Sequence, residues 1–175
     1  IPATIVSRCH RIPIATPSRD EAVAWLRAEG VDDVDGVLAF SGGAPLAARD
    51  AASDPEAILA HRDFVAFLSR PAADQALATA EAFGRQAAAP PIRWMQLWLA
   101  DCLSARLAGR VRYHPAQRQV LERLAHEARL DALTGLMQRV EAMRRNIDHP
   151  LNTRLMLEGL LMAYVDAMMP RRPSA

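Results

Sequence analysis

The most constraining feature of this chain is the spacing of its apolar side chains near the C-terminal end. Leu133, Leu136, Met137, Val140, Met143 and Ile147 recur at steps of three and four residues. That is the period of one face of an α-helix and does not fit a strand, whose faces alternate every second residue. The same period returns in the stretch carrying Trp94, Met95, Trp98, Leu99, Cys102 and Leu107, and again through Leu155, Leu160, Leu161, Tyr164, Val165 and Met168. Alanine and leucine dominate, and β-branched residues are sparse after the first fifteen positions, so helix is favoured by propensity as well as by pattern. The chain is expected to be all-α.

Proline, glycine and capping residues divide the helical pattern. Ser18 with Glu21 three positions later forms a capping-box signature ahead of Ala22, Val23, Trp25 and Leu26, and Gly30 ends that helix. A second short helix follows Asp33 or Asp35, turning Val37, Leu38 and Phe40 inward; Asp32, Asp33 and Asp35 read as turn and capping residues. Ser41-Gly42-Gly43 breaks it, and Pro45 suits the first turn of a third helix running through Arg49 and Ala52. Asp54-Pro55 opens a longer unit, with Ile58, Leu59, Val65 and Leu68 on its buried side. After Pro71 comes a helix bearing Leu77, Ala80 and Phe83, and after Pro90-Pro91 the Trp94/Trp98 helix, closed by Gly109. Beyond a polar connection through Tyr113 and His114, Pro115 starts a helix with Val120, Leu121 and Leu124. The long helix over 130–147 is broken at Asp148-His149-Pro150, and Asn152 caps the last one. Three short helices are thus followed by a bundle of five or six, with residues 1–15 as a short extended segment and 171–175 as a disordered tail.

Composition excludes several function classes. With 21 basic and 20 acidic residues the net charge is +1, which gives the whole chain no strong electrostatic pull toward nucleic acid, while leaving room for contacts by one face. Cys9 and Cys102 form no CxxC pair and read as free thiols in a reducing compartment. No apolar run is long enough to span a membrane, and no signal peptide is evident at the N-terminus. Gly42-Gly43 lacks the lysine and Ser/Thr that a phosphate loop requires. His10, His61, His114, His126 and His149 show no paired ligand spacing, and all five read as surface or capping residues, so no metal site is expected. Arg139, Arg144, Arg145 and Arg154 are interrupted by acids and read as a solvated face. Ser7-Arg8-Cys9 is the one short motif whose arginine could project a fork of donors toward phosphate or carboxylate.

Four stretches, in order along the chain, carry a resemblance. IPATIVSRCHRIPI, PSRDEAVAWL, SGGAPLAA and HPLNTRLMLEGLL are similar to segments of bacterial DNA polymerase III delta-prime subunits, of the AAA+ clamp-loader family. The resemblance implies that residues 1–15 end a nucleotide-binding domain whose Walker elements lie upstream, that 16–53 form a three-helix lid, and that 54–170 form a helical collar that joins subunits. It implies that Arg8, with Ser7 and Cys9 shaping its turn, reaches in trans to the ATP-Mg of a neighbouring motor subunit. It further implies that the fragment binds no cofactor and hydrolyses no ATP itself. Motor subunits of this family have an arginine at the start of the last lid helix; the matching position here is Pro45, behind Gly42 and Gly43. The turn reads GGAP where the family is closer to GSPG, and Arg49 lies one helical turn beyond. Trp94, Trp98, Met137, Val140, Leu155 and Tyr164 become candidates for core or inter-subunit packing. The implied partners are the gamma/tau and delta subunits and, through the assembly, the sliding clamp and primer–template DNA, in the bacterial cytoplasm and at no membrane. The alternatives are a gamma/tau motor subunit and, from another class, a helical adaptor unrelated to clamp loading.

Overall fold

The computed structural model describes residues 4, 7–10, 12, 15, 17–85, 87–145 and 152–169. Arg11, Pro13 and Ile14 of the expected extended segment, the break at 148–150 with Ile147 and His149, and the tail 171–175 lie outside the described residues. From residue 17 onward the described chain forms nine α-helices and a single 3-10 turn, and no strand is present among the described residues.

The first three helices are short and capped by their own sequence. In α1 (Arg19–Ala28) the Glu21 N–H donates to Ser18 Oγ (3.3 Å) and the Ser18 N–H donates back to the Glu21 carboxylate (2.7 Å), completing the capping box. α2 (Val34–Phe40) begins under Asp33, which accepts the Gly36 N–H, and α3 (Pro45–Ala51) begins on Pro45, whose missing N–H costs nothing in a first turn. Ala22, Leu26, Val34, Val37, Leu38 and Ala48 form a small buried cluster between them.

A larger core belongs to the six helices that follow: α4 (Pro55–Ser69), α5 (Ala73–Gly84), α6 (Ala89–Ala108), α7 (Arg118–Glu127), α8 (Leu130–Arg145) and α9 (Thr153–Met168). Pro115 starts the 3-10 turn Pro115–Gln117, and the α-helix proper begins only at Arg118. α6 is central, packing against α4, α7 and α8, while α9 lies along α5. Trp98 is fully buried at the middle of α6 and its indole N–H donates to Tyr164 Oη (2.8 Å); that hydroxyl donates in turn to the Leu68 carbonyl (2.6 Å). One chain of polar contacts therefore ties α6, α9 and α4 through the core and satisfies both aromatic donors. Where α5 meets α9, a Cβ on Gly84 would lie 2.6 Å from the Arg154 Cα, so only glycine permits this approach.

The apolar pattern overstates burial at four leucines. Leu59, Leu77, Leu107 and Leu155 are all more than half exposed. On α4 the buried stripe is His61, Phe64, Val65 and Leu68, which leaves Leu59 on the far side; on α5 it is Ala76, Ala80 and Phe83. Each helix buries a stripe narrower than its full apolar content, as partial burial of a small bundle requires.

The two cores meet mainly along α4, with further contacts from α6. Phe40 packs against the larger core, Arg93 Nη2 donates to the Ser41 carbonyl (3.1 Å), and Arg62 of α4 pairs with Asp33 at 2.9 Å. Ser41, with its hydroxyl buried, sits at this junction.

Candidate functional site

Residues 7–9 form an exposed turn in which Ser7 Oγ donates to the Thr4 carbonyl (3.1 Å). Arg8 at its centre is exposed and has no carboxylate partner among the described residues. An arginine left without an internal anion keeps its planar donor fork free for an external oxyanion. Cys9 is also exposed.

The turn after α2 is built by its glycines. Gly42 and Gly43 adopt positive φ of 66° and 81°, conformations that a side chain would strain. The Gly43 N–H donates to the Leu38 carbonyl (2.7 Å) and the Gly42 N–H to the Ala39 carbonyl (3.1 Å), the paired bonds of a Schellman cap. The chain then re-enters helix at Pro45, which offers neither charge nor donor. Arg49, one turn later, is held locally: it pairs with Asp50 at 3.0 Å and its guanidinium lies 5.8 Å from the Trp25 ring centre.

A buried polar cluster at the junction of the two cores went unrecognised in the sequence. Asp101, in α6, is 1% exposed and its carboxylate accepts the backbone N–H groups of Arg112 (2.7 Å), Tyr113 (3.0 Å) and His114 (2.8 Å), together with His114 Nδ1 at 3.0 Å. Burial alone would raise the Asp101 pKa. The His114 ring bond and the three backbone donors outweigh it and hold the carboxyl below its ordinary range. The signal was present: Asp101 shares a helical face with Trp98 and Ala105, and a carboxylate on an apolar stripe has to be paired.

His61 and His114 are both buried, which corrects their assignment as surface or capping residues. Their rings stack with centroids 5.9 Å apart, and the Nε2 of each has no hydrogen-bond partner among the described residues. The Phe40 and Trp94 rings also face His61, at 5.5 and 5.2 Å. Burial, and secondarily the adjacent His114, drives the His61 pKa down to about 4, so its imidazole is neutral at pH 7. Both rings border a cleft of about 570 Å³ between α1, α2, α4 and the 3-10 turn, rimmed by the Arg19–Asp35 and Arg62–Asp33 pairs. Next to Asp101, Cys102 is buried and its thiol is pushed up to about 12 by burial and by that carboxylate, which leaves it unreactive.

The candidate interface residues separate by burial. Trp94, Trp98, Val140 and Tyr164 are core residues of this chain, at most 3% exposed, and offer no surface to a neighbour; the helical period alone could not distinguish the two roles. Leu155 is exposed and Met137 partly so. The basic residues of α8 and α9 are partly neutralised, with Arg144 on Glu141 and Arg154 on Glu158. Among the described residues no cluster of three or more His, Cys, Asp or Glu side chains could hold a metal ion, and no helix is long and apolar enough to cross a membrane.

No curated protein matches the chain. The family model described as DNA polymerase III, delta subunit, C terminal, matches residues 63–165, from within α4 to near the end of α9, and so takes in the larger core. That span exceeds half of the 175 residues, and the helical bundle it covers is built around α6. The chain therefore belongs to the family formed by the C-terminal region of DNA polymerase III delta subunits, within the AAA+ clamp-loader clade.

Proposed function

We propose that this chain is the lid-and-collar portion of a delta-prime-type stator subunit, which helps load a sliding clamp onto primed DNA without hydrolysing ATP itself. Residues 16–53 act as the lid and 54–170 as the collar, a division favoured by the two separate clusters of buried apolar side chains. The collar joins motor and delta subunits, and the exposed Leu155 with the half-exposed Met137 are available for that contact.

The observation that carries the stator assignment is Pro45 at the first position of α3, behind the Gly42-Gly43 cap. A subunit that senses its own nucleotide needs a cation near this helix start, and proline supplies none. Arg49 is engaged with Asp50 and Trp25, away from such a task. In its place Arg8, exposed and without a described carboxylate partner, serves the ATP of the neighbouring motor subunit. Positive charge and paired donors there stabilise oxygens that gain charge as the γ-phosphoryl group transfers.

The test is the DNA- and clamp-stimulated ATPase of a reconstituted loader carrying arginine or alanine at position 8. Alanine is expected to lower the rate clearly with the assembly intact, since such an arginine is worth roughly 10³–10⁵ in kcat at the one site it serves. An unchanged rate removes the trans-acting role, and failure of the assembly to form makes Arg8 structural.

A further inference from the structure

Charge is distributed unevenly along this nearly neutral chain. Residues 17–63 carry ten acidic and four basic side chains, whereas residues 106–127 carry five arginines against two carboxylates, Glu122 and Glu127. The second segment folds into one corner of the bundle. Gly109 ends α6 in the left-handed conformation, and Arg118, at the start of α7, reaches back to the Gly109 carbonyl (3.4 Å). Arg106 spans to the other end of α7, with Nη1 3.0 Å from His126 Nδ1 and 3.3 Å from the His126 carbonyl. The connecting segment is fixed from beneath by the Asp101 carboxylate, which holds the N–H groups of residues 112–114.

Of these arginines only Arg118 is paired with a carboxylate, Glu122 at 3.1 Å. Arg106, Arg110, Arg112 and Arg123 are exposed and have no carboxylate partner among the described residues. Their backbone is already held, by helix at Arg106 and Arg123 and by the Asp101 bonds at residues 112–114, so little backbone ordering is lost when they meet a ligand.

We propose that this corner is a contact surface for the phosphate backbone of duplex DNA. Duplex DNA presents a dense line of negative charge, roughly one charge per 1.7 Å of axis, which suits several exposed, unneutralised guanidiniums close together in one segment. Single strands are less suited: their binders present open aromatic faces for base stacking, whereas the one aromatic residue in the loop, Tyr113, is half-buried with the Arg112 guanidinium 5.3 Å over its ring. A protein partner would need a central apolar anchor, and the segment exposes only Leu107 among its large apolar side chains. With no base-reading element, the contact is independent of sequence. It also stands independently of which clamp-loader subunit this is and of any role for Arg8.

The experiment measures binding of the full-length protein to a fluorescent, random-sequence DNA duplex by anisotropy across a salt series. The triple variant Arg110→Ala/Arg112→Ala/Arg123→Ala is compared with a charge-matched control, Arg27→Ala/Arg70→Ala/Arg139→Ala. The corner variant should bind about tenfold or more weakly at low salt. The slope of log K against log salt should shrink by roughly 3, close to 0.9 for each lost contact. The control should retain nearly all the wild-type slope, and both should keep the wild-type thermal midpoint. Equal losses in the two variants would reduce the effect to net charge and overturn the proposal, as would absence of duplex binding by the wild type. Impaired subunit assembly with DNA binding unchanged would assign the corner to a protein neighbour instead.

Discussion

Acid should destabilise this fold through His61 before its carboxylates respond. The ring is 5% exposed, packed among Phe40, Trp94 and His114, and its pKa is driven from 6.5 to about 4, chiefly by burial. Because the folded value lies below the unfolded one, the unfolded state binds the proton first as pH falls. Stability is therefore intact above about pH 6.5 and lost progressively down to about pH 4. Each pKa unit corresponds to about 1.4 kcal/mol, so the full loss is about 3 kcal/mol, of which roughly 2 kcal/mol has gone by pH 5. His61→Phe keeps an aromatic ring against the same neighbours and removes the titration; His61→Leu does so with less volume. Urea unfolding at pH 7 and pH 5 should show the wild type losing about 2 kcal/mol more than either variant, with unchanged m-values. The Asp101 carboxyl is held below its ordinary range, so its contribution is lost only at lower pH and does not obscure this window. If both variants lose stability between pH 7 and pH 5 as steeply as the wild type, burial of a neutral His61 is not the source.

Two further substitutions probe how the bundle is held. Asp101→Asn offers one acceptor oxygen, and an unwanted donor, to three backbone N–H groups and the His114 ring; it should cost about 3 kcal/mol in urea unfolding and accelerate amide exchange at residues 112–114 ahead of the rest of α6. Gly84→Ala would ordinarily favour a helix, yet the added Cβ falls 2.6 Å from the Arg154 Cα, so the thermal midpoint should drop by an amount equivalent to about 1–3 kcal/mol; a rise would show that α5 and α9 can separate without penalty.

The local sequence by itself determined where many of the helices start and stop. Ser18 with Glu21, Asp33, Asp54 and Asn152 each satisfy free N–H groups within a few residues, Pro45 and Pro55 fit first turns, and Gly42, Gly43 and Gly109 take left-handed conformations at helix ends. Those bonds form between near neighbours, so they can be read from order alone. The Ser7-Arg8-Cys9 motif and the GGAP turn were legible for the same reason. Which side of each helix faces inward was decided only by tertiary packing. Leu59, Leu77, Leu107 and Leu155 fit the apolar pattern and lie exposed, while His61 and His114 are polar and lie buried. Trp94, Trp98, Val140 and Tyr164 could have served a core or an interface until their neighbours from distant helices were in place. Asp101 is the clearest case, since its partners lie 11 to 13 positions away and come within reach only because Gly109 turns the chain back over α6. Burial depends on contacts between residues far apart in sequence, and a local period leaves those contacts unspecified.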